Sequence, residues 1–110
     1  MDEYSLEEAA FIRKMAFDSF MDNTLPIDTI ISNLENCIKG NLRAMIASEN
    51  AGSKKFKLNY IRLYFRWMQV QAIKNHTFPP KYEVLSIDDI CSMILGKELY
   101  NKLRNDSDYI

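Results

Sequence analysis

Lys54, Lys55, Lys57, Arg62, Arg66 and Lys74 are the residues of this chain whose type and spacing best support a chemistry, and that chemistry is the binding of anions. Arg62 and Arg66 stand four positions apart. On a helix that spacing sets two guanidinium forks one turn from each other, where they can grip successive phosphates or carboxylates. The surrounding stretch, YIRLYFRWMQVQ from Tyr60 to Gln71, adds four aromatic residues to the two arginines. A surface for single-stranded nucleic acid needs such a mixture, with rings and cations on the same side.

The other reactive residue types offer less. One histidine, His76, and two distant cysteines, Cys37 and Cys91, do not make a thiolate or imidazole cluster, so no metal site is expected. Cys37 lies on an apolar stripe and reads as packing rather than as a nucleophile. The carboxylate pairs Glu7-Glu8 and Asp88-Asp89 fall at expected helix starts, where the helix dipole accounts for them. There is no glycine-rich phosphate loop and no serine or cysteine paired with a base, so neither an enzyme nor a cofactor is expected.

Charge is unevenly laid out although the chain as a whole carries −1. Residues 1–35 hold eight acidic and two basic groups, a net −6; residues 36–81 hold nine basic groups and Glu49, a net +8; residues 82–110 hold six acidic and three basic groups, a net −3. Either the basic middle faces acidic neighbours within the fold or in a second copy, or it is a positive surface for an anionic partner.

The elements that must position these residues follow from periodicity. Three glycines and three prolines in 110 residues leave long uninterrupted segments, against an all-β fold that needs frequent turns. Ser5 and Glu8 form a capping box for a first helix, whose apolar residues, Leu6 to Met21, cover more than half its circumference and suit packing on two neighbours. A second helix is expected from Leu25 or Pro26, with a clean stripe through Ile27, Ile30, Ile31, Leu34, Cys37, Ile38, Leu42, Met45 and Ile46, and with Gly40 as a point of kinking. Residues 48–53 read as a loop, and Ser53 as the cap of a third helix that the prolines after Phe78 forbid from continuing. Residues 81–85 read as an extended stretch returning Tyr82, Val84 or Leu85 to the bundle. Ser86 caps a fourth helix, Gly96 interrupts it, and a last helix buries Leu99, Tyr100 and Leu103 before a frayed tail from Asn105.

At 100° per residue, Lys55, Asn59, Arg62, Arg66 and Gln69 share one ridge of the third helix, with Ile73 at its end. Tyr60, Tyr64 and Trp67 lie opposite; Leu58, Ile61, Phe65, Met68 and Ala72 fill one flank, and Leu63 and Val70 the other. The aromatic side chains are therefore expected in the core, apart from the cations. Reading Gly96 as the glycine of a DNA-binding helix-turn-helix fits poorly, because Lys102 then falls at a buried position.

The sequence thus predicts a single all-α domain over 1–110: a compact bundle of four to five helices with a central, mostly buried third helix. Acidic helices span 5–47, a basic helix 54–75, and C-terminal helices 86–105. No apolar run approaches the ~20 residues of a membrane span, and the cysteine usage suggests a reducing, cytoplasmic setting. The function expected is that of a small non-enzymatic regulatory or adaptor module, binding a partner protein or its own copy as a dimer or higher homo-oligomer. The alternative is nucleic-acid binding by the basic segment, with Lys39 and Arg43 contributing. No small-molecule substrate is indicated.

Overall fold

The structure, a computed structural model, describes residues 4–48 and 57–107, which form five α-helices. The first, α1 (Leu6–Asp18), starts at the expected capping box: Glu8 N–H donates to Ser5 Oγ at 3.0 Å, and Ser5 N–H donates to Glu8 Oε1 at 2.8 Å. It ends in a left-handed turn. Phe20 has φ +58°, and Met21 N–H reaches back to the Ala16 carbonyl at 2.8 Å, which satisfies an otherwise orphaned helix carbonyl. Arg13 then holds the connection to the next helix by donating to the carbonyls of Asn23 and Leu25, at 2.6 and 2.9 Å.

The second helix, α2 (Ile27–Ser48), begins directly after Pro26, whose carbonyl accepts from Ile30 N–H, and it runs through Gly40 without a break. Most of its predicted stripe is buried, namely Ile30, Ile31, Leu34, Ile38, Leu42 and Ile46, while Ile27, Cys37 and Met45 at the margins are half-buried. The third, α3 (Lys57–Lys74), lies antiparallel to α2, since Glu35 in the first half of α2 meets Gln71 and Lys74 at the end of α3, while Met45 and Ser48 near the end of α2 lie across a groove from Asn59 and Arg62 near the start of α3. The expected cap at Ser53 and the loop beyond Ser48 lie outside the described residues. A second left-handed turn follows α3, with His76 at φ +58° and Thr77 N–H donating to the Ala72 carbonyl at 2.7 Å.

The chain then runs without helix to Ser86, which caps α4 (Ile87–Leu95) by accepting from Asp89 N–H at 3.1 Å. Gly96, at φ +89°, separates α4 from α5 (Lys97–Ser107). That backbone conformation strains any residue bearing a Cβ, so glycine is the residue that fits. The last helix extends past the predicted frayed end at Asn105. Tyr100 is buried in it, while Leu99 and Leu103 are half-buried. Tyr100 also ties α5 to α4 by donating to Asp88 Oδ1 at 2.5 Å.

One core joins the five helices: Ile12 and Ala16 of α1, the α2 stripe, Tyr60, Leu63, Tyr64, Val70 and Ile73 of α3, Ile90, Cys91 and Ile94 of α4, and Tyr100 of α5. The third helix packs on α1, α2 and α4, and α2 packs on each of the other four. Among the described residues no helix is long and apolar enough to cross a membrane.

Two expectations about α3 need correction. Ile73, expected at the end of the polar ridge, is 0% exposed. A helical wheel assumes one environment along a helix, whereas the last turns of α3 are enclosed on several sides, with Val70, Ala72 and Ile73 all buried. Conversely, Leu58 and Phe65, expected within an apolar flank, are 57% and 43% exposed, because the described residues cover the first half of α3 on only part of its circumference. The wide apolar face of α1 is likewise only partly used: α1 does pack on two helices, yet Leu6, Phe17 and Phe20 remain in solvent.

Candidate binding surface on the third helix

The six cations singled out from the sequence separate into three groups. Lys54 and Lys55 lie outside the described residues. Lys74 is engaged within the fold, its Nζ 3.1 Å from Glu35 Oε2, an oxygen that also accepts from Gln71. Internal complementarity therefore explains the basic end of α3. Lys57, Arg62 and Arg66 are exposed, and none forms an ion pair with a described residue.

Arg62 and Arg66 border a groove of about 410 Å³ between α3 and the second half of α2, to which Asn41, Met45, Ser48 and Asn59 also contribute. This wall carries donors and no described carboxylate. Farther along the same helix pair, the Lys39 ammonium sits over the Trp67 ring, 5.6 Å from its centroid, which engages that cation with a half-buried aromatic face. Arg43 is exposed.

On the other side of the arginines the surface is apolar. Leu58 and Phe65 lie within about 60° of Arg62 around the helix, so cations and exposed apolar side chains share one open face. This corrects the expectation that rings and cations point apart. It holds for Tyr60 and Tyr64, which are buried, and fails for Phe65.

The segment between α3 and α4 extends this apolar side. Glu83 N–H donates to Tyr64 Oη at 3.0 Å, which fixes the segment against α3. Tyr82 then packs on Phe65, with ring centroids 4.7 Å apart and planes inclined at 55°. Leu85 turns inward, whereas Val84, one of the residues expected to return to the bundle, projects fully into solvent at 104% relative exposure. Between segment and helix lies a notch of about 210 Å³ lined by Ile61, Tyr64, Phe65, Val84, Leu85 and Ile90, with one residue of each charge, Lys57 and Glu83, contributing to it. Sequence reasoning missed this notch. The only signal for it was the extended stretch after two prolines, which does not reveal where that stretch crosses α3.

The remaining reactive groups are quiet. Burial, followed by the negative charge of Asp88, pushes the Cys91 thiol up to about 12, which keeps it protonated and unreactive. Burial and the hydrogen bond to Asp88 push Tyr100 above the ordinary tyrosine range. Cys37 and Cys91 are free thiols. Among the described residues no group of three histidine, cysteine or acidic side chains is placed to hold a metal ion. Lys102 is exposed, where a DNA-binding helix-turn-helix would bury its residue.

Fold and surface together define a small all-α bundle in which, among the described residues, α3 presents a face with exposed cations on one side and exposed apolar side chains on the other. No protein-family model, curated protein or solved structure matches the chain.

Proposed function

We propose that the chain is a non-enzymatic regulatory or adaptor module of the cytosol that acts by binding protein, with the open face of α3 as its working surface and an acidic, partly apolar surface as its counterpart. One observation carries the reading: Arg62 and Arg66 face solvent without a described carboxylate, directly beside exposed Leu58 and Phe65. Protein interfaces are enriched in arginine and aromatic residues, and their centres are desolvated apolar patches rimmed by polar groups. The free thiols of Cys37 and Cys91 accord with a reducing compartment.

A second reading, nucleic-acid binding, draws on the same Phe65 and Tyr82 beside the arginines. It is the weaker of the two. Phe65 and Tyr82 pack on each other rather than standing free for bases, and exposed Leu58 and Val84 give a phosphate backbone nothing to bind.

Affinity capture with the wild-type chain and with Arg62→Glu plus Arg66→Glu, each before and after nuclease treatment, tests both. The protein reading expects retained proteins that survive nuclease and are lost on charge reversal. Retention indifferent to the two arginines overturns it, and retention abolished by nuclease transfers the surface to nucleic acid.

A further inference from the structure

The chain between α3 and α4 is pinned at two points and free between them. Thr77 N–H donates to the Ala72 carbonyl at 2.7 Å, and Glu83 N–H donates to Tyr64 Oη at 3.0 Å. Among the described residues no backbone hydrogen bond joins residues 78–82 to a helix. This free stretch reads Phe78-Pro79-Pro80-Lys81-Tyr82 and holds two of the three prolines of the chain. Pro79 and Lys81 are exposed, Pro80 is half-buried, and Tyr82 is 45% exposed.

Adjacent prolines fix φ and turn the residue before each of them away from the α region, which favours the extended polyproline helix. That helix has three residues per turn, so Pro79 and Tyr82 fall along one edge of it. Proline-recognition modules read such an edge, packing aromatic rings on the pyrrolidines of a backbone that is already ordered and donates few hydrogen bonds of its own. The peptide bonds inside the stretch are trans, and the anchors at Thr77 and Glu83 lower the cost of ordering it further. An SH3 ligand carries Pro-x-x-Pro, a spacing that occurs nowhere in the chain. Here the fourth position is tyrosine, an anchor with a large ring and a polar tip. We infer that Pro79-Pro80-Lys81-Tyr82 is a docking motif for a WW domain of a partner protein, the prolines entering its aromatic groove and Tyr82 the pocket beside it.

Tyr82 is displayed rather than committed to the core. Its ring rests on Phe65 and stands edge-on to Tyr64, 6.3 Å between centroids, and among the described residues its hydroxyl has no hydrogen-bond partner. Docking exchanges the contact with Phe65 for one in the partner and gives the hydroxyl a place to bond. The contact is separate from the groove of Arg62 and Arg66, which lies between α3 and α2, so it stands whether or not that groove binds protein.

Isothermal titration calorimetry of the full chain with an isolated WW domain that selects Pro-Pro-x-Tyr tests the inference, with helical content of every variant checked by circular dichroism. Wild type is expected to bind. Tyr82→Ala and Pro80→Ala weaken binding at least about tenfold. Tyr82→Phe, which keeps the ring on Phe65 and removes only the hydroxyl, weakens it at least about threefold. Lys81→Ala, at the position that the spacing leaves open, and Arg62→Glu plus Arg66→Glu bind within about threefold of wild type.

A wild type that does not bind the domain overturns the inference, because the fold then withholds the motif. Binding left intact by any of the three changes at Pro80 and Tyr82 overturns it too. Binding lost on reversal of the two arginines and kept in the motif variants moves the contact to the charged groove and removes the motif from it.

Discussion

Replacing Ile73 by alanine distinguishes the three-dimensional account of α3 from a helical wheel. The wheel sets Ile73 in line with Arg62 and Arg66, where truncation should matter little. In the structure its side chain is 0% exposed, in the enclosed final turns of the helix. Ile73→Ala removes three buried carbons, worth about 2.4 kcal/mol at roughly 0.8 kcal/mol each, and a residual cavity brings the loss to about 3–4 kcal/mol. That is a large share of the ~5–15 kcal/mol that stabilises a typical domain. With a urea dependence of about 1–2 kcal/mol per molar, the unfolding midpoint falls by about 1.5–4 M at unchanged slope. Arg66→Ala, at an exposed site about two turns earlier, should stay within about 0.5 kcal/mol of wild type. Urea titrations followed by circular dichroism measure all three proteins under one set of conditions. An Ile73→Ala protein within about 1 kcal/mol of wild type refutes the enclosed last turn, as does an Arg66→Ala protein that loses as much as Ile73→Ala.

Three further outcomes follow from particular contacts. Tyr64→Phe deletes the acceptor of Glu83 N–H, so that amide should exchange with solvent about tenfold faster at a loss of about 1 kcal/mol; unchanged exchange there means that Tyr64 does not fix the segment. Ser86→Ala removes the cap of α4 and should cost about 1 kcal/mol, read as a fall in thermal midpoint of roughly 4 °C; an unaltered midpoint contradicts the cap. Cys91 titrates at about 12 in the fold against an ordinary 9.0, so its contribution is whole below pH 9 and is lost as the pH climbs from 9 toward 12. Over that window the unfolded chain binds fewer protons, so stability falls as the pH rises. Tyr100, also raised, acts in the same direction above its ordinary 10.0. Cys91→Ala should flatten the decline, and parallel wild-type and variant curves would show that the thiol is not what titrates.

Where local chemistry decides the outcome, the sequence was readable. Ser5 with Glu8, Ser86 with Asp89, and the α2 stripe all act within a few residues, and each stands in the structure as its spacing implies. The exposure of α3 was legible only in part, because it depends on which neighbours cover which turn. Tyr60 and Tyr64 are buried and Arg62 and Arg66 are open, as a single arc predicts, while Ile73 and Phe65 exchange places with expectation because neighbouring elements enclose the last turns more fully than the first. Lys74 shows the same limit in charge: nothing local indicates that Glu35, thirty-nine residues away, takes its ammonium. The notch was beyond reach for the same reason, since it exists only where the segment before α4 crosses α3.

The central claim is that the open face of α3 and the segment beside it are where this protein meets its partner. Hydrogen exchange read by mass spectrometry, comparing the full chain alone with the chain bound to the protein it retains, addresses that claim directly. Added protection at 57–66 and 82–85, with α5 unchanged, is the predicted footprint. Protection confined to α4 and α5, with α3 exchanging as in the free chain, contradicts it.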